Sequence, residues 1–107
     1  MNKEVKKLWV EALRSGDYRQ TSNKLKTASG YCCLGVLCEI CPNVESSACD
    51  GVHFHYDGYS TELPRSVVDW AGLDSHNPNI LDSCLSYYND HLRLDFWKIA
   101  NLIEENL

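Results

Sequence analysis

The sequence predicts an α+β fold: a single small domain over residues 1–107, about four helices beside a short antiparallel β-hairpin. Three observations carry this. Val5, Leu8, Trp9, Ala12 and Leu13 recur at helical spacing and form one apolar stripe. Phe96, Ile99, Ala100, Leu102 and Ile103 do the same near the C-terminus. Between them, Val52-His53-Phe54-His55-Tyr56 alternates and runs into Asp57-Gly58, a two-residue turn signal. A chain of 107 residues has room for one modest core, and three Trp, six Tyr and two Phe supply large side chains for it.

The elements follow in order. Asn2 is a good N-cap for the first helix, and Gly16 stands where that helix needs a left-handed stop. Residues 17–30 read as polar loop, with a short strand around Lys24-Leu25-Lys26. From Tyr31 to Ile40 the chain suits either an early strand turning into a helix or a buried helix throughout. Cys33, Leu34, Leu37 and Ile40 favour the helix. Gly35 would let a neighbouring element approach closely, and Pro42-Asn43 ends the segment. The hairpin is expected to pair residues 52–56 with Tyr59-Ser60-Thr61. Pro64 is expected at the first position of a helix from Arg65 to Ala71, stopped by Gly72. A short helix is expected from Leu81 or Ser83 to Tyr88, and Asp95 should cap the last one. Trp9 and Trp70 read as core, and Trp97 as the aromatic left outside, because Phe96 already takes the inner face.

Charge is unevenly distributed. Residues 1–30 carry seven Lys/Arg against three acids, a net of +4, whereas residues 31–107 carry three against twelve, a net of −9. The whole, at −5, is a poor generic nucleic-acid binder, lacking the broad positive field that releases counterions. A basic edge on an acidic body can still hold a small anion, or pair head-to-tail with the acidic face of another subunit. The longest apolar run, Tyr31 to Cys41, is too short for a membrane span, and the first residues lack a signal-peptide pattern. The expectation is a protein of the cytoplasm.

There a reducing compartment makes free thiols the default for the six cysteines. Cys32, Cys33 and Cys38 sit among Leu and Val and are expected in the core. The competing reading is zinc, with Cys38-Glu39-Ile40-Cys41, Cys49, His53 and His55 as ligands, or a Cys-dependent enzyme pairing Cys32 or Cys33 with His53. A single C-x-x-C without a second pair is weak support for a metal. No G-x-S-x-G elbow and no Gly-rich phosphate loop is present. The expectation is therefore no enzyme, no catalytic residues and no cofactor or metal. An acidic nucleic-acid mimic is a further alternative, although the basic start argues against it.

A binding module draws on more residues. Arg14, Tyr18, Arg19 and Gln20 form a donor-rich turn past the first helix, where guanidinium forks suit phosphate and Tyr suits a stacked base. Asn77 and Asn89 could read a base edge through their amides, one of them from a second subunit. These six are the expected ligand-binding residues. Several strings occur together here: Trp9-Val10-Glu11-Ala12-Leu13-Arg14-Ser15-Gly16-Asp17-Tyr18-Arg19-Gln20, Tyr31-Cys32-Cys33-Leu34-Gly35-Val36-Leu37-Cys38, Leu63-Pro64, Trp70-Ala71-Gly72-Leu73, Asn77-Pro78, Asn89-Asp90 and Phe96 to Ile103. In that order the chain resembles a family of small proteins encoded by tailed bacteriophages and prophages. Nearly the whole chain is covered, and the Cys-Cys-Leu-Gly-Val-Leu-Cys string is the specific part; Cys41, Cys49 and Cys84 are not in the pattern. The resemblance implies a phage accessory protein of the host cytoplasm. By analogy of size and source, it would act against host defence as an oligomer, binding a host defence protein or sequestering a nucleotide-type immune signal.

Overall fold

The computed structural model describes residues 1–48 and 50–107. Helix α1 spans Lys3–Arg14, and the Asn2 side chain accepts the Glu4 and Val5 N–H groups at 2.9 and 3.0 Å. Its buried residues are Val5, Trp9, Val10 and Leu13. Leu8, expected on the stripe, is half exposed, and Val10 takes the inward place because α1 turns that side to the last helix, α5 (Phe96–Asn106). The two helices run antiparallel: Met1 lies by Asn106 and Leu107, and Arg14 by Trp97. Asp95 caps α5, its carboxylate accepting the Lys98 N–H at 2.9 Å. Trp97 is 57% exposed, as its place outside the Phe96 stripe required.

The middle of the core is α2, Cys33–Ile40, where every residue from Cys33 to Cys38 is buried. The segment begins as a strand and then turns helical. Strand β1 (Lys26–Thr27) pairs antiparallel with β2 (Gly30–Tyr31), and Cys32 caps α2, its sulfur accepting the Gly35 N–H. Gly35 does admit a close neighbour: a Cβ there would lie 1.7 Å from the Leu25 carbonyl oxygen. That same oxygen accepts the Cys32 N–H at 3.2 Å, so Leu25 is held against the first turn of α2. The Trp9 indole N–H donates to the Cys33 carbonyl at 3.0 Å and ties α1 to α2.

The expected hairpin is present in altered form. Strand β4 (Phe54–Tyr56) pairs with β3 (Ser46–Ala48), in the register Ser46 to Tyr56, and only Tyr56 and Tyr59 bridge across Asp57-Gly58. Serine-rich β3 carries no alternation and was not expected as a strand. Pro64 is the N-cap of α3 (Arg65–Ala71) rather than its first residue, and Gly72 ends α3 in the left-handed conformation at φ +68°. The next segment departs further. Residues 79–84 form a second unforeseen hairpin, β5 (Asn79–Ile80) with β6 (Ser83–Cys84), and α4 starts only at Leu85 and ends at Asp90. Leu81 turns that hairpin at φ +58° and is 72% exposed, so an apolar residue that suggested helix is a turn residue. Among the described residues there are thus five helices and three two-stranded antiparallel sheets around one core fed by all five helices. No helix among the described residues is long and apolar enough to cross a membrane.

Four of the six cysteines, Cys32, Cys33, Cys38 and Cys41, are buried free thiols. Burial pushes Cys32 up to about 12 and raises Cys33 and Cys38 as well. Their folded values exceed the unfolded one, so the stability they add is present below about pH 9 and is lost as pH rises beyond it. Each thiol held neutral contributes a slope of about 1.4 kcal/mol per pH unit in that window. Urea unfolding at pH 8 and pH 10 should show a loss that shrinks in Cys38→Ala; an identical loss in the variant would remove the thiols as its cause.

Candidate functional site

The β1–β2 hairpin, with Arg19 and Asp17 beside it and Phe54 of β4 across from it, lines an open groove of about 380 Å³. Its geometry starts at Gly30. A Cβ there would sit 2.2 Å from the Arg19 carbonyl oxygen, so only glycine lets residue 19 lie against the hairpin. The Tyr31 N–H donates to that oxygen, and the Thr21 N–H donates to the Tyr31 carbonyl, both at 2.8 Å. Residues 19–21 thereby form a third rail beside β2. The Ala28 N–H donates to the Val52 carbonyl at 2.9 Å and brings in the segment that carries Phe54.

Lys26 is the centre of the groove. Its ammonium lies 4.7 Å from the Phe54 ring centre and 5.4 Å from that of Tyr31, within cation–π range. It donates to the Ser46 hydroxyl at 3.0 Å and is 3.8 Å from a Glu39 carboxylate oxygen. The rest of that carboxylate is poorly served: Glu39 Oε2 is buried without a hydrogen-bond partner, and so is the hydroxyl of Tyr56. Burial raises the Tyr18, Tyr31 and Tyr56 phenols, and the Glu39 charge raises each further. The phenols therefore stay neutral donors. Arg19 is exposed at the rim and makes no ion pair or side-chain hydrogen bond among the described residues.

The six expected ligand residues do not converge. Arg14 is committed to α5: its guanidinium donates to both Glu104 oxygens at 3.2 Å and to Asn101 at 2.5 Å, and it covers Trp97 at 5.2 Å. Asn77 makes reciprocal bonds with Ser86, donating to its hydroxyl at 2.7 Å and accepting its N–H at 3.2 Å. Asn89 is almost wholly buried. Its oxygen accepts from Gln20 at 2.9 Å and from the Cys33 N–H at 3.2 Å; its amide donates to the Thr21 carbonyl and to Asp90. Gln20 also donates to the Leu94 carbonyl at 2.8 Å. Gln20 and Asn89 are thus brought together, but as a part-buried clamp between α2, α4 and residues 20–21. Tyr18 packs edge-on against Tyr31 at 5.3 Å, behind the groove. Arg19 alone of the six offers an uncommitted polar group to the groove. Lys26, Tyr31 and Phe54 were missed as site residues. Their signal was the alternation within Lys24-Leu25-Lys26 and Val52–Tyr56, which puts Lys26 on the face opposite buried Leu25 and Phe54 on the face of buried Tyr56, opposite His53 and His55.

Among the described residues no group of three or more His, Cys, Asp and Glu is placed to hold a metal ion, and Cys49 lies outside them. His53 pairs with Asp50 at 3.0 Å, and the His55 ring accepts the Gly58 N–H at 3.2 Å. Cys32 and Cys33 have thiols raised by burial, the opposite of what a nucleophile needs. Burial pushes the half-covered Cys84 thiol up too, but hydrogen bonds from Ser86, the Tyr87 N–H and Asn77 outweigh it and leave it below its ordinary value.

Comparison with curated proteins finds no match, and neither does comparison with solved structures. The family model of a domain of unknown function, DUF8296, matches residues 1–107, and the chain belongs to that family.

Proposed function

We propose that this protein is a binding module without catalytic activity, and that the groove at Arg19, Lys26, Tyr31 and Phe54 takes a small anionic ligand of the nucleotide type. One observation carries the reading: a cation sits against two aromatic rings, and a second, uncommitted guanidinium lies at the rim of the same groove. Phosphate suits both cations, Arg19 as a two-pronged donor and Lys26 as a point charge on a flexible stem. When Lys26 swings out to an anion, it vacates the faces of Tyr31 and Phe54, on which a base can stack. Thr27 and Ser29 place hydroxyls on the same wall. Asp17 at the rim, and Glu39 behind Lys26, temper the positive field, so the ligand is a small one with few charges rather than a nucleic acid.

The resemblance to small phage and prophage proteins supplies the setting. In it the ligand is a nucleotide-type immune signal, and the protein is an oligomeric anti-defence accessory that sequesters the signal in the host cytoplasm.

Titration calorimetry with a panel of linear and cyclic nucleotides tests this on wild type, Arg19→Glu, Lys26→Ala and Arg14→Glu. A charge-assisted hydrogen bond contributes about 1.5–3 kcal/mol, so Arg19→Glu should weaken binding by at least about tenfold. Lys26→Ala should weaken it too, and Arg14→Glu should leave it unchanged. If no nucleotide binds, or if affinity survives the changes at both Arg19 and Lys26, the small-ligand reading fails and a host defence protein becomes the better target.

A further inference from the structure

The structure leaves a second basic surface, apart from the groove. Lys3, Lys6, Lys7, Val10 and Arg14 fall at i, i+3, i+4, i+7 and i+11 and share one side of α1, where with Glu11 and Glu104 they line a cleft of about 450 Å³. Arg14 is neutralised by Glu104. Lys3, Lys6 and Lys7 form no ion pair within 4 Å among the described residues. They also stand in the first two turns of the helix, the positive end of its dipole, where acids are favoured and cations are not. Glu11, four residues from Lys7, and Glu104, whose carboxyl the Lys6 charge helps to lower, offset only part of this charge, so the cleft keeps a net charge of +2.

Opposite charge is available on the same chain but beyond its own reach. Glu45, Asp57 and Glu62 are exposed around β3, the Asp57-Gly58 turn and the start of α3, and Asp57 accepts a bond from Ser66 at 3.1 Å. The end of α3 meets α1, since the Asn2 N–H donates to the Ala71 carbonyl at 2.8 Å. The start of α3 is then about 10 Å further off, one length of a seven-residue helix. No ion pair joins the two surfaces within a chain among the described residues.

We infer that the lysine face of α1 docks on the acidic surface at Glu45, Asp57 and Glu62 of a second copy of this chain. The arrangement is head-to-tail, so each copy offers one basic and one acidic surface, and the contact repeats until a ring closes. Attraction between exposed charges is screened within about 10 Å at 0.1 M salt and about 3 Å at 1 M, so the assembly should depend steeply on salt.

The test is native mass spectrometry and light scattering of the full chain at 25 mM and 1 M salt. Wild type should assemble at low salt and fall to monomer at 1 M. Lys6→Glu with Lys7→Glu should be monomeric at both, and so should Glu45→Lys with Glu62→Lys. Mixed one to one, the two variants should assemble again, because the lysine face of one meets the acidic surface of the other and the reversed face meets the reversed surface. Assembly in the mixture also shows that both variants are folded. A wild type that is monomeric at low salt, an assembly that survives the lysine reversal, or a mixture that stays monomeric would each overturn the inference. Nucleotide calorimetry on the lysine variant separates the two proposals, since its groove is intact.

Discussion

Asn89→Ala is expected to lower stability by about 2–6 kcal/mol, the sum of one buried and one part-buried backbone group left unpaired at about 1–3 kcal/mol each. The amide oxygen is the partner of the Cys33 N–H, one of the orphan donors at the start of α2. The amide nitrogen is a partner of the Thr21 carbonyl. Gln20 keeps its bond to the Leu94 carbonyl and so does not add to the loss. A domain of this size loses about 4–8 °C of Tm per kcal/mol, so melting should fall by about 8 °C or more. Asn77→Ala is the contrast. Its two bonds to Ser86 are only partly buried, and its loss should cost about 1 kcal/mol. Circular-dichroism melts of both variants decide the matter: equal small shifts would mean that Asn89 is not the clamp its bonds describe.

Gly35→Ala should destabilise the fold by about 3 kcal/mol or more, the upper range for overpacking a core. Alanine is the better helix former, so propensity alone predicts a gain of about 1 kcal/mol. The sign is reversed by contact. The new methyl would lie 1.7 Å from a backbone oxygen, and that oxygen cannot withdraw without breaking its bond to the Cys32 N–H. Leu25 is itself fully buried, and its own N–H is bonded to the Ser60 carbonyl at 2.7 Å. The strain would therefore spread to the groove side of the hairpin, and urea unfolding should show a lower midpoint. An unchanged or raised midpoint would show that Leu25 moves freely.

The same positions show what could be read from residue order. Stripes of long helices are local, so α1 and α5 were legible, with Asn2 and Asp95 as their caps. Gly35 was legible as a close-approach point because a glycine within an apolar helical run has few other uses. Strands of two or three residues were not. Ser46–Ala48 and Asn79–Ile80 have no room for alternation, and their pairing is decided by what lies opposite. The ligand residues show the deeper difficulty. Arg14, Gln20 and Asn89 were singled out for donor-rich chemistry, and the fold uses that chemistry largely on partners 56 to 90 residues away. The groove is likewise assembled from Arg19, Lys26–Tyr31 and Phe54, three segments that no local pattern connects.

Amide chemical-shift mapping by NMR tests the central claim most directly, using isotope-labelled protein and a stepwise addition of guanosine and adenosine nucleotides. The account predicts saturable shifts clustered at Arg19, at Lys26 to Tyr31 and at Phe54. The amides of Asn77, Lys6 and Lys7 should stay in place. Shifts centred on the lysines of α1 or around Asn77 and Ser86, or no saturable shift with any nucleotide, would contradict it.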